Sequence, residues 1–203
     1  PLMKPLLVLA AFPMVLMGWA SCSHSGTGHA ALPDPRAVDK SVPEYKNPFH
    51  PSTYAHFVAR KDYRKTYDVY KDDTLLNRQP KKSRKIFVCL DEQRGQYLVD
   101  GLVAMDFPLS SGVKAYPTKT GDYAVISKKE DHASNLYGKM YDAEGKCINY
   151  NAESTDPIPE GGRFDGSPMP YWQRLTNAGL GLHVGKVRRH PVSHGCVRLP
   201  RNV

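Results

Sequence analysis

From Arg84 onward, apolar and polar positions fall into short strand-like runs separated by turn residues. Ile86-Phe87-Val88-Cys89-Leu90 reads as one strand, and Asp91 to Gly95 as the turn after it. Gln96 to Val103 and Ala104 to Leu109 give one long or two short strands. Tyr123, Val125 and Ser127 alternate against Ala124 and Ile126, which predicts a strand over Gly121 to Ser127. A Gly/Pro-rich loop is expected from Pro157 to Pro170, with strands following at Tyr171 to Leu175 and Gly179 to Gly185. The pattern predicts a mainly β domain over residues 84–203.

Upstream the texture differs. Ser23 to Asp34 has the small, polar composition of a linker. Tyr54, Phe57, Val58, Tyr63, Tyr67 and Tyr70 recur loosely at helical spacing, so a short helix is expected within Thr53 to Tyr70. The charged run from Arg78 to Lys85 reads as a solvated connector and sets the expected domain boundary. Residues 23–83 are therefore expected to form an extended basic arm. Ahead of it, Lys4 precedes an uncharged apolar run of twelve residues, Leu6 to Met17, and small residues lead from Gly18 to Cys22. Such a run is too short to span a bilayer comfortably and has the layout of a signal peptide over residues 1–22. Two exits are open. Ala20-Ser21-Cys22 resembles a lipobox, which would lipidate Cys22 and anchor the chain in a membrane, whereas Gly18-Trp19-Ala20 would suit an ordinary signal peptidase. Either route gives an exported protein of the periplasm or cell envelope.

Charge and cysteine content sharpen this picture. The 203 residues carry 28 Lys and Arg against 20 Asp and Glu, a net charge of +8. A basic balance suits an anionic partner. Nothing in the chain has the form of a basic zipper or paired Cys/His finger, so nucleic acid is not the expected one. Beyond Cys22 stand Cys89, Cys147 and Cys196, an odd number. A Cys89–Cys147 disulfide would leave Cys196 free; two buried, unpaired thiols are the alternative.

The stretch richest in chemistry is Gly179-Leu180-Gly181-Leu182-His183-Val184-Gly185, followed by a loop and Ser193-His194-Gly195-Cys196-Val197-Arg198-Leu199. Leu180, Leu182 and Val184 share one strand face, which turns His183 to the other between Gly181 and Gly185. The flanking glycines are expected to leave open space beside the imidazole for a substrate backbone. Gly195 lets the chain turn sharply before Cys196, thirteen residues beyond His183. A thiol of ordinary pKa is mostly protonated at neutral pH, and a neighbouring imidazole activates it by taking that proton. Backbone N–H groups at Gly195 and Cys196 are suited to meet a developing oxyanion. The residues thus point to a Cys196/His183 nucleophile pair.

His183 through Cys196 resembles the signature of the L,D-transpeptidase (YkuD-like) family, a His followed at a distance by Ser-His-Gly-Cys. Met169 to Trp172 and Tyr116 to Tyr123 are also similar to that family. The resemblance implies a β-rich catalytic domain with short helices, nucleophile Cys196 and base His183. It further implies a Val184 carbonyl that orients the base, oxyanion donors at Gly195 and Cys196, and a loop shaped by Ser193 and His194. Arg198 is expected to meet a substrate carboxylate, and Tyr171 to pack or line the groove beside Trp172. The implied reaction attacks the bond before the terminal D-Ala of a peptidoglycan stem, and an amine of a second stem resolves the thioester as a 3→3 crosslink. Water as acceptor would make a carboxypeptidase, and another amine would attach a protein. Carbapenem inhibition is expected, with no metal or cofactor. A non-catalytic wall-binding lipoprotein is the rival of a different class. A zinc site from His183, His190, His194 and Cys196 is a weaker rival because the spacing matches no usual structural pattern. The chain stops seven residues past Cys196, and the resemblance reads this as a truncated C-terminal end.

Overall fold

The computed structural model describes residues 34–41, 45–79 and 84–203. The segment read as a signal peptide, Cys22 included, lies outside them. Strand β2 (Arg84–Cys89) pairs antiparallel with β3 (Arg94–Val99), which pairs with β4 (Leu102–Pro108). Val99 faces Leu102 across a two-residue loop in which Asp100 and Gly101 both have positive φ, 51° and 86°. That conformation matches strand twist in a tight hairpin and favours glycine at the second position. Of the one long or two short strands expected over Gln96 to Leu109, two form, and the break falls at Asp100-Gly101 rather than between Val103 and Ala104.

Alternation along β4 sends Met105 and Phe107 to one face, where they meet Leu109, Leu182, Val197 and Leu199. Each fully buried Phe or Leu there contributes about 1.5–3 kcal/mol. The last three come from β10 (Gly181–Val184) and β11 (Val197–Leu199), which run parallel with Leu182 beside Val197. They belong to a second sheet ordered β11-β10-β9-β5, with β5 at Ser127–Lys129 and β9 at Trp172–Arg174. The core between the two sheets thus fixes which face of β10 and β11 remains for chemistry.

The other face of β3 and β4 carries Arg94, Gln96 and Asp106, all buried. It is covered by residues 45–79, the main described part of the stretch 23–83 expected to be an extended arm, which corrects that expectation there; the linker read over Ser23 to Asp34 lies almost wholly outside the described residues. Residues from Pro33 onward form one unit. Helix α1 (Tyr54–Ala59) buries Phe57 and Val58 with Tyr63, and β1 (Tyr70–Lys71) pairs with β4. Thr53 caps α1 by accepting from the His56 N–H, and Arg60 ends it in extended conformation. The helix is thus far shorter than the Thr53–Tyr70 window. The chain turns after Arg60 so that Tyr63 can reach Asp106, donating at 2.9 Å. A second short helix, α2 (Asp73–Leu76), follows β1.

A third sheet, β7-β6-β8, joins β6 (Ala133–Tyr141), β7 (Cys147–Glu153) and β8 (Arg163–Pro168). β8 falls inside the loop expected over Pro157 to Pro170, a second correction. Its Gly166 is required for pairing, because a Cβ there would lie 2.0 Å from the Ser134 carbonyl oxygen. The strand expected over Gly121 to Ser127 is mostly absent. Residues 121–126 form no strand and are exposed, and pairing begins only at Ser127. Cys147 is a free thiol, so the Cys89–Cys147 disulfide does not form.

Candidate active site

The parallel register that pairs Leu182 with Val197 places Gly181 and His183 on the same face as Cys196 and Arg198. Cys196 lies beside Gly181, and His183 is one diagonal step along the strand. The Cys196 thiol donates to the Gly179 carbonyl at 3.4 Å. Burial pushes this thiol above its ordinary range, while a hydrogen bond from the Gly181 backbone and the nearby Arg198 charge pull it back. His183 is 6% exposed. Its Nδ1 lies 2.9 Å from the Val184 carbonyl oxygen. A carbonyl only accepts, so Nδ1 carries the proton and Nε2 is left as the proton acceptor. Burial holds the imidazole below its ordinary range; the Val184 bond opposes this, and Arg198 and His132 add to it. The site therefore rests as a neutral thiol beside a neutral imidazole of defined tautomer.

The loop that leads into Cys196 is clamped from several sides. Gly195 adopts φ 111°, a region L side chains rarely enter. Its carbonyl accepts from the Thr118 hydroxyl at 2.6 Å, and Thr118 Oγ1 in turn accepts the Gly112 N–H at 2.8 Å. Gly112 presses so closely that a Cβ on it would lie 2.8 Å from the Gly195 Cα. Buried Ser193 donates to the Cys196 carbonyl and accepts the Gly195 N–H at 3.2 Å. The Gly195 N–H, expected as an oxyanion donor, is thus engaged inside the loop. His194 is exposed and stacks on Tyr137 at 4.1 Å and 15°, with Tyr116 at 4.8 Å.

The open space expected beside His183 is filled. A Cβ on Gly181 would lie 2.4 Å from the Trp172 indole, and one on Gly185 would lie 3.2 Å from the Arg198 Cδ. The glycines admit protein side chains rather than leaving a void. Arg198 is half-buried, and burial lowers its pKa while Cys196 raises it. Its backbone exchanges hydrogen bonds with Ser110 at 2.8 and 3.1 Å. Tyr171 is 53% exposed with φ 55° and so is not packed in the interior. Its neighbour Trp172 is the residue turned inward.

Thr118, Gly112, Tyr137 and His132 were not anticipated as site residues. Thr118 lies within the Tyr116–Tyr123 stretch without an assigned role there, and no alternation marks β6. Among the described residues no three His, Cys, Asp or Glu side chains gather as a metal site, so the four-ligand zinc arrangement is not assembled. A hollow of about 890 Å³ lined by residues including Arg60, Tyr67 and Asn202 contains neither Cys196 nor His183.

A half-buried thiol and an imidazole of fixed tautomer thus share one face of paired parallel strands. Residues 83–203 match the YkuD family, described as the L,D-transpeptidase catalytic domain, and the chain belongs to that family. Among solved structures, the chain is similar to an L,D-transpeptidase from Stackebrandtia nassauensis at 23% identity and TM-score 0.41, over 62% of this chain and 49% of that one. An L,D-transpeptidase from Mycobacterium smegmatis is similar at 21% and 0.40, over 56% and 47%. The catalytic domain of the E. faecium L,D-transpeptidase is similar at 28% and 0.41, over 60% and 84%. The chain thus spans about half the length of the first two. Comparison with curated proteins gives no match.

Proposed function

We propose that the chain is a peptidoglycan L,D-transpeptidase with Cys196 as nucleophile and His183 as base. The observation that carries this reading is the His183 tautomer: the Val184 carbonyl holds Nδ1–H and leaves Nε2 to accept on the face shared with Cys196. His183 Nε2 takes the thiol proton as sulfur attacks the carbonyl carbon before the terminal D-Ala. The carbon–nitrogen bond breaks, the imidazolium returns its proton to the leaving amine, and a thioester remains on Cys196. An amine of a neighbouring stem then attacks, His183 takes its proton, and the thiol is restored with a 3→3 crosslink formed.

The Cys196 N–H serves the oxyanion, since the Gly195 N–H is engaged by Ser193. Among the described residues Arg198 forms no ion pair, which suits it to a stem carboxylate. Arg198→Ala then weakens substrate binding more than thiol reactivity. Acceptor choice separates this activity from carboxypeptidase or protein-attaching reactions at the same thiol. Export, with or without lipid on Cys22, is part of the proposal and rests on the apolar run Leu6 to Met17.

Intact-mass spectrometry after incubation with a carbapenem tests the reading. A single adduct is expected, absent in Cys196→Ala and formed much more slowly in His183→Ala. An unmodified mass on the folded protein would overturn it in favour of a non-catalytic wall-binding protein.

A further inference from the structure

Trp172 sits behind the base and belongs to neither apolar core cluster. Its side chain is 2% exposed. The indole occupies the place that a side chain at position 181 would need. The His183 ring lies 6.3 Å from it, tilted by 46°. A second imidazole, His132, lies 5.0 Å from the same indole, tilted by 33°.

The backbone explains why these rings meet. β5 pairs with β9 and β6 pairs with β8, and residues between them continue the ribbon. The Tyr171 N–H donates to the Glu130 carbonyl and the Met169 N–H to the His132 carbonyl, both at 2.7 Å. His132 and Trp172 are therefore held on facing strands of one ribbon. A surface-loop histidine would lack this support.

We propose that His132, Trp172 and His183 form one stack, in which the indole fixes the ring plane of the base and His132 fixes the indole. Trp172 and His132 are then positioning residues, and the inference rests on His183 being the base. The groups that face the stack are largely cationic. Arg198 acts on His183 from β11, with Cys196 alongside. Lys129 from β5 and Arg174 from β9 act on His132, and Glu130 and Asp131 precede it in the chain. Burial and these cations hold both imidazoles below the ordinary histidine range, so the stack is neutral at neutral pH. Protonation of His132 in acid puts a second positive charge near the base. Removing that imidazole should let His183 take its proton at higher pH.

The test is the pH profile of Cys196 alkylation by iodoacetamide, read on the Cys196 peptide so that free Cys147 does not contribute. His132→Gln should move the acid limb upward by about 0.5 pH unit. Trp172→Leu should slow alkylation at neutral pH roughly tenfold, because the ring plane of the base is no longer fixed. Trp172→Phe should recover most of that loss. Circular dichroism establishes folding; where Trp172→Leu unfolds, His132→Gln and Trp172→Phe decide. Wild-type profiles in all folded variants, with the acid limb lost in His183→Ala, would overturn the stack and leave the base intact. An unchanged profile in His183→Ala would instead sink the base itself.

Discussion

Burial acts on Cys196 and His183 in opposite directions, and both effects keep the resting pair uncharged. The thiol is pushed above the ordinary 9.0 and the imidazole below 6.5. Each shift has a consequence for stability. His183 binds its proton more readily in the unfolded chain, so its contribution is complete above pH 6.5 and is lost as pH falls through the folded value. Cys196 loses its proton more readily in the unfolded chain, so its contribution is complete below pH 9.0 and is lost as pH rises towards the folded value. Urea denaturation of wild type and His183→Gln at about pH 5 and about pH 7.5 isolates the first effect. The wild type should lose more stability than the variant on acidification. Equal losses would mean that His183 titrates normally in the folded protein.

Among the secondary-structure elements, the largest departure from expectation is the segment ahead of the family domain. Its sequence, rich in Tyr and Lys, reads as a solvated arm because the partners of its aromatic residues lie far along the chain. Tyr54 and Tyr63 donate to Asp106 Oδ2 at 2.6 and 2.9 Å, and Arg94 Nε pairs with Oδ1 at 2.7 Å. Burial and the Asp106 charge raise both phenols above the tyrosine range, so they stay protonated donors. Arg94 also donates to the Thr66 carbonyl at 3.2 Å. The buried pair is thus satisfied by the segment as well as by the sheet. Asp106→Asn should cost about 3–5 kcal/mol, because it leaves the Arg94 charge buried without its partner. A chain beginning at residue 84 should fail to unfold cooperatively, having lost both tyrosine donors. Chemical denaturation of both forms measures this; a loss below about 1 kcal/mol for Asp106→Asn would mean the network is incidental.

The same contrast explains what could be read in advance. The strand at Leu182 was legible because Leu180, Leu182 and Val184 alternate, whereas the three residues of β11 are too few to show a pattern. His183 and Cys196 drew attention through their chemistry and spacing, and the parallel register sets them on one face. β6 to β8 were not legible: Leu136, Ile148 and Tyr150 are about half exposed or more, so burial imposes no alternation there. Thr118 matters through a contact with Gly195 that is 77 residues away, and Trp172 through a cross-strand contact with Gly181; local pattern encodes neither.

For the whole unit from Pro33 onward, the three-stranded sheet is tied to the sheet that carries His183 in two ways. One is the backbone ribbon through Glu130 to His132. The other is the side-chain stack of Tyr137 from β6 on His194 of the loop that precedes Cys196. The ribbon carries hydrogen bonds and should persist when one ring is removed, whereas an aromatic pair contributes only about 0.5–1.5 kcal/mol beyond its area. Tyr137→Ala should therefore leave global stability nearly unchanged and loosen the loop selectively. Amide hydrogen exchange would rise over residues 193–196 while the amides of β6 paired with β7 and β8 keep their protection. Tyr137→Phe, which retains the ring, should behave as wild type. If exchange rose equally in β6 to β8, Tyr137 would be a folding residue of its own sheet. If it rose nowhere, the loop would owe its order to Thr118 and Ser193 alone.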